Sequence, residues 1–278
     1  MSPTFASVFI GLLVLGAIFA VLERLWPSIA GQPRWRPEIK TDLVYWFFTP
    51  LVTRAITRVV LYLALALVAF GTGRTTVQAL FTPGALSRQP IWLQAIEVLL
   101  LGDLVGYWIH RLFHRELWRF HAIHHSSRQL DWLSSVRLHP VNDLLARVLQ
   151  TIPFLFLGFS PKVMVAYLPF LTLYAILLHA NVSWSLGPLR YVIASPTFHR
   201  WHHTSESEGL DKNFAGLFAF YDLLFGTFHM PNGKQPEKFG VESERIPAGI
   251  WGQLLYPFRW TLRTASLGGE LDSVPARK

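Results

Sequence analysis

The feature that most constrains this chain is a run of uncharged apolar residues, Ala6 to Leu22, long enough to cross a bilayer as a helix. Backbone N–H and C=O groups find no water in hydrocarbon, so such a run must satisfy its own hydrogen bonds. No basic stretch precedes it and no small-residue cleavage site follows it, which points to an anchor rather than a cleaved signal. Leu43 to Phe70 is also apolar but is interrupted by Pro50, Arg54 and Arg58. It is expected to start at the membrane interface and to span from about Ile56. Ile91 to Leu112 is a third span and contains Glu97 and Asp103. Leu144–Phe159 and Val163–Leu178 are parted by Ser160-Pro161-Lys162 and read as a tight helical hairpin.

The expected fold is therefore all-α: an integral membrane helical bundle of four to five spans, hairpin included, with a histidine-rich cytoplasmic cap. Residues 1–90 form an N-terminal transmembrane region, 91–230 the functional domain, and 231–278 a C-terminal cytoplasmic tail. Its end, Leu267 to Lys278, is expected to be disordered. Composition agrees with a lipid-facing surface. The chain is 51% hydrophobic and only 15% charged, against about 25% charged in ordinary soluble domains.

Charge sets the orientation. Residues 1–182 carry 15 Lys+Arg against 8 Asp+Glu, whereas 183–278 carry 10 against 9. The excess sits in short loops between apolar segments, which fits the positive-inside rule and not a nucleic-acid-binding face. Loop 23–42 holds four basic residues and stretch 111–140 holds five arginines, against two in loop 71–90. The first two regions and the C-terminal portion are thus expected in the cytoplasm, with the N-terminus and the hairpin tip outside. The expected location is a bacterial inner membrane, or the endoplasmic reticulum membrane in a eukaryote.

There is no cysteine, which removes disulfides, thiolate zinc sites, iron–sulfur clusters and thiolate haem from consideration. No glycine-rich dinucleotide fingerprint is present. Any redox chemistry needs other ligands and an external electron source.

Histidine supplies the ligands. His110-x3-His114 ends the third span, His121-x2-His124-His125 follows, and His199-x2-His202-His203 comes after the hairpin. On a helix, positions i, i+3 and i+4 project to one side, so each box is expected to aim its imidazoles at one point. Chance gives roughly 0.02 H-x-x-H-H patterns in a chain of this histidine content; this one has two. Imidazoles crowded together and buried lose solvation and repel on protonation unless a metal joins them. Eight nitrogens exceed the need of one ion and indicate two. Imidazole suits zinc, copper, iron and nickel alike. A zinc hydrolase would need a carboxylate base, and no box carries an interleaved Glu. A metal carrier would place its ligands near the bilayer midplane rather than at one edge.

Several motifs together resemble the fatty acid hydroxylase/sterol desaturase superfamily over residues 95–230. They are Gly102-Asp103-x3-Tyr107-Trp108-x-His110-Arg111-x2-His114, His121-x2-His124-His125-Ser126, Arg137-x-His139-Pro140 and His199-x2-His202-His203. Asn213-Phe214-Ala215 and Asp222-Leu223-Leu224-Phe225-Gly226-Thr227 are similar to that family's closing motif, with Ala215 for the usual glycine and Tyr221 where tryptophan is common. The six-residue gap between the first two boxes favours this branch over the acyl desaturases. The resemblance implies a membrane enzyme with two iron ions and O2 as co-substrate, hydroxylating or desaturating a lipid C–H bond. Zinc is a possible substitute in purified protein. A separate electron donor of the cytochrome b5, ferredoxin or reductase type is expected, since the chain lacks a fused cytochrome b5 signature.

The candidate metal ligands are His110, His114, His121, His124, His125, His199, His202 and His203, with His139 and His179 added from their places at the two ends of the hairpin. His229 is expected to lie outside the set. Asp103 falls on the face of His110 about two turns deeper, either supporting the site or pairing with Arg54 or Arg58. Asn213 and Asp222 are candidates to orient ligating imidazoles. Glu97 has no assigned role.

Overall fold

A computed structural model of the chain describes residues 3–80 and 84–266; the tail from Leu267, expected to be disordered, lies outside the described residues. Among these the chain is helical without strands, apart from two isolated bridges, Pro27 to Val182 and Thr204 to Phe239.

Among the described residues, three helices are long and apolar enough to cross a membrane. The first, α1 (Phe5–Leu25), opens with a capping box between Thr4 and Ser7. The second span is Ile39–Gly71, a run of 33 residues. It joins α2 (Ile39–Phe48) to α3 (Arg54–Gly71) through a π-helical segment, Thr49–Thr53, that contains Pro50. The wider turn accommodates the proline's missing N–H, so the helix continues where the sequence suggested a break. The third span is α4 (Ile91–Arg115). α5 (Trp118–His125) follows it, and the expected hairpin is α6 (Pro140–Leu157) and α7 (Pro161–His179). Gly158 ends α6 in the left-handed conformation, φ 68°. The hairpin contributes a shorter apolar segment, Val165–His179, so the count of four to five spans includes helices below the length of the first three. Glu97 takes a hydrogen bond from Gln89 Nε2 at 3.2 Å.

Close helix contact explains one glycine. A Cβ at Gly102 would sit 1.9 Å from Tyr167 Oη, so α4 and α7 meet at this depth because position 102 has no side chain.

The remaining elements form a cap at one end of the bundle. They are α8 (Pro196–His203), started by Ser195 and Pro196, then α9 (Phe220–Leu224) and α10 (Ile250–Ser266). A buried ion network ties the stretch between α5 and α6 to α2 and the loop before it. Asp42 on α2 takes Arg137 Nε at 2.6 Å and Arg36 Nη2 at 2.5 Å, and Arg36 also bonds both oxygens of Asp131 at 2.8 Å. Loop 23–42 and stretch 111–140, which the charge pattern put on one side, are thereby in contact.

Candidate metal centre

Nine histidines converge where α4, α5, α7 and α8 end, and they form two groups. His110, His114, His121, His125 and His202 make one; His124, His179, His199 and His203 make the other. Within each group the nitrogens lie within 4.8 Å of one another. The boxes do not each aim at one point, as the spacing suggested. The i, i+4 pairs, His110/His114, His121/His125 and His199/His203, stay together, and the i+3 residues, His124 and His202, go to the opposite group. On a helix, i+3 and i+4 diverge by about 100°. Two helices can therefore each feed two neighbouring centres. The groups touch where the His125 and His203 rings stack, 4.2 Å between centroids.

Six of the nine rings are held from behind. Nδ1–H of His110 donates to Phe214 O at 2.8 Å, that of His121 to Asn142 Oδ1 at 2.9 Å, and that of His124 to Arg137 O at 3.2 Å. His179 donates to Ala175 O at 2.7 Å and His202 to Lys212 O at 2.8 Å. His114 Nδ1 meets Asp211 Oδ1 at 3.0 Å. These acceptors fix the proton on Nδ1 and turn the Nε2 lone pair inward. Burial, with the repulsion of neighbouring imidazoles, holds His121, His124, His125, His199, His202 and His203 well below the usual histidine range, so they are neutral and able to ligate.

The inward nitrogens fit a metal. Nε2 atoms face each other at 3.1 Å for His110 and His121, 3.1 Å for His124 and His179, and 3.1 Å for His199 and His203. Facing lone pairs repel, whereas metal–nitrogen bonds of about 2.1 Å put neighbouring ligand atoms about 3.0–3.4 Å apart. His202 Nε2 is buried without a hydrogen-bond partner, which costs free energy unless a cation takes it up.

His139 is not brought to either group. As the residue ahead of α6 its Nδ1 accepts the Val141 N–H at 3.1 Å, and its Nε2–H donates to Leu254 O at 3.1 Å. Both nitrogens are used, one in capping α6 and the other in binding α10. His229 also lies outside, against Trp201.

The three non-histidine candidates touch no imidazole. Asp103 does not pair with Arg54 or Arg58; its carboxylate takes the N–H groups of Gly216, Leu217 and Phe218 at 2.9, 3.0 and 2.6 Å. Asp222 takes those of Phe214 and Ala215 at 2.7 and 2.9 Å, and the Thr227 hydroxyl at 2.6 Å. Asn213, at φ 59°, donates to Phe198 O and His229 O and accepts the His229 N–H. All three shape one segment, 211–218, which offers Asp211 Oδ1, Lys212 O and Phe214 O to His114, His202 and His110. Sequence reasoning missed Asn142 and Asp211. The signal for Asn142 was its place in the first turn of the helix that follows His139-Pro140; Asp211 had none.

Comparison with known proteins agrees with this geometry. The sequence profile described as Fatty acid hydroxylase matches residues 95–227. Ornithine lipid hydroxylase OlsE of Rhizobium tropici is 28% identical over 245 residues, 87% of this chain and 72% of that protein. Alkylglycerol monooxygenases of Danio rerio and Homo sapiens are 31% and 33% identical over 61% and 48% of this chain. The matched part is 37% and 30% of their own length, so this chain spans about a third of them. No solved structure matches. Every histidine of both groups lies inside residues 95–227, the part of this chain that is similar to the fatty acid hydroxylase family.

Proposed function

We propose that this chain is an O2-dependent membrane oxidoreductase that holds one iron ion in each histidine group and oxidises a C–H bond of a polar lipid. The observation that carries the reading is the pair of adjacent nitrogen cages, five and four imidazoles, with six of the nine rings anchored on the outside. Bound there, two iron ions would supply reductive activation of O2 for attack on an unactivated C–H bond.

The residues of the chain do the rest. Acceptors behind six of the nine rings turn those imidazoles inward, and burial beside other imidazoles keeps His121, His124, His125, His199, His202 and His203 neutral. His125 and His203, stacked across the groups, set the two centres side by side. The cages hang at the end of the spans, where a lipid can approach from the bilayer and electrons from water. We assign this end to the cytoplasm on the basic residues of 23–42 and 111–140.

The names of the relatives favour hydroxylation over desaturation, and a lipid with a polar head as substrate. No Asp or Glu oxygen belongs to either group among the described residues, which leaves a zinc hydrolase without its base at the metal. Electrons come from a separate donor of the cytochrome b5, ferredoxin or reductase type, since the chain has no cysteine for a cluster.

Membranes containing the protein, a reductase system and isotopically labelled dioxygen test the reading. A hydroxylated lipid carrying the label supports it. A new double bond with the label in water would make the enzyme a desaturase. Turnover that continues without O2 contradicts the assignment.

A further inference from the structure

Asp103 has a place in the bilayer as well as a set of partners. It lies seven residues before His110, about 10 Å further along the α4 span at about 1.5 Å per residue. The amides it binds, Gly216 to Phe218, must reach that depth, because an aspartate side chain is short. Tyr221 reaches further still, its hydroxyl donating to Leu100 O at 3.0 Å. The segment returns by Thr227, whose hydroxyl contacts the Tyr107 hydroxyl at 2.8 Å.

A second piece of the cap runs beside it. Ala194 N–H donates to Leu217 O at 2.8 Å, and Ala194 O accepts the Tyr174 hydroxyl of α7. Irregular backbone is tolerated at membrane depth only where protein groups satisfy it. Here Asp103 and Asp222 serve five consecutive N–H groups, 214–218.

The outer side of these pieces is largely apolar, with Arg190 its one partly exposed charge, held on the Tyr191 ring and hydroxyl. Leu224 is 70% exposed, Leu189 60%, Val192 46% and Leu223 45%, and Trp108 of α4 stands beside Phe225 with 49% of its surface open. Four large aliphatic side chains at the level of a span would be costly in water and are at home in hydrocarbon.

We infer that residues 214–226, with the neighbouring stretch 189–194, form a re-entrant membrane element whose outer face, led by Leu224 and Leu189, is immersed in the acyl-chain region of the bilayer. The segment that sets the ring of His110 is then itself in contact with lipid. The inference rests on the depth of α4 and does not depend on the metal or the reaction.

The absence of cysteine makes the test direct. Leu224→Cys and Leu189→Cys, labelled with a small environment-sensitive fluorophore, are compared in vesicles with Leu67→Cys on the open face of α3 and Ser207→Cys on the cap. Both test positions are expected to behave as Leu67→Cys does. They should lose emission in phosphatidylcholine brominated midway along its acyl chains, and resist quenching by aqueous iodide. Iodide quenching equal to that of Ser207→Cys, with no effect of the brominated lipid, would overturn the inference. Because iron is not needed for the readout, failure here is separable from failure of the proposed reaction.

Discussion

Asp103 and Asp222, 119 positions apart in the sequence, divide five consecutive backbone N–H groups between them, Asp222 taking 214 and 215 and Asp103 taking 216 to 218. The carbonyl of Phe214 receives His110, and Lys212 and Asp211 just ahead of it receive His202 and His114. Two buried carboxylates thus act on one histidine group through a loop. Asp103→Asn and Asp222→Asn are expected to weaken metal binding in the five-histidine group by about 10- to 100-fold. The four-histidine group, whose acceptors are Arg137 O and Ala175 O, should keep its ion. Metal analysis with site-resolved spectroscopy checks this; equal loss from both groups would mean a general structural role.

Asp42 pairs with two buried guanidiniums, Arg36 and Arg137, the first of which it shares with Asp131. Asp42→Ala leaves both without this partner and is expected to cost about 3–5 kcal/mol. Thermal or denaturant unfolding in detergent measures it. A change within about 0.5 kcal/mol, the range of ordinary surface substitutions, would show that the network contributes little.

Sidedness is testable with single cysteines in the same cysteine-free background. Cysteines replacing Trp35, Arg128 and Lys234 should react with an impermeant reagent only from the cytoplasmic side, and one replacing Thr75 only from outside. Arg128 and Lys234 labelled from opposite faces would contradict a shared cap.

The sequence carried the spans, the hairpin and the eight box histidines because these follow from periodicity and from short-range spacing. His179 was legible as the residue at which an apolar helix returns to the box level. The division of His124 and His202 between groups was not, since spacing shows that a helix has two adjacent faces and not which neighbour stands opposite each. His139 misled because a histidine before proline at a helix start can cap as well as ligate. Its ring is taken up by Val141 N and Leu254 O, the second a partner 115 residues away. Asp103 was visible as an intramembrane acid, but its partners are backbone amides more than a hundred positions distant, which no residue identity marks.

The central claim is that one chain holds two metal ions side by side, and metal counting on anaerobically purified, iron-supplied protein tests it most directly. Two ions per chain are predicted from the two groups. His110→Ala should remove the ion of the five-histidine group, and His199→Ala that of the other, each leaving about one. The double substitution should leave none. A single ion in the unmodified chain, or full stoichiometry retained in the double variant, would contradict the account.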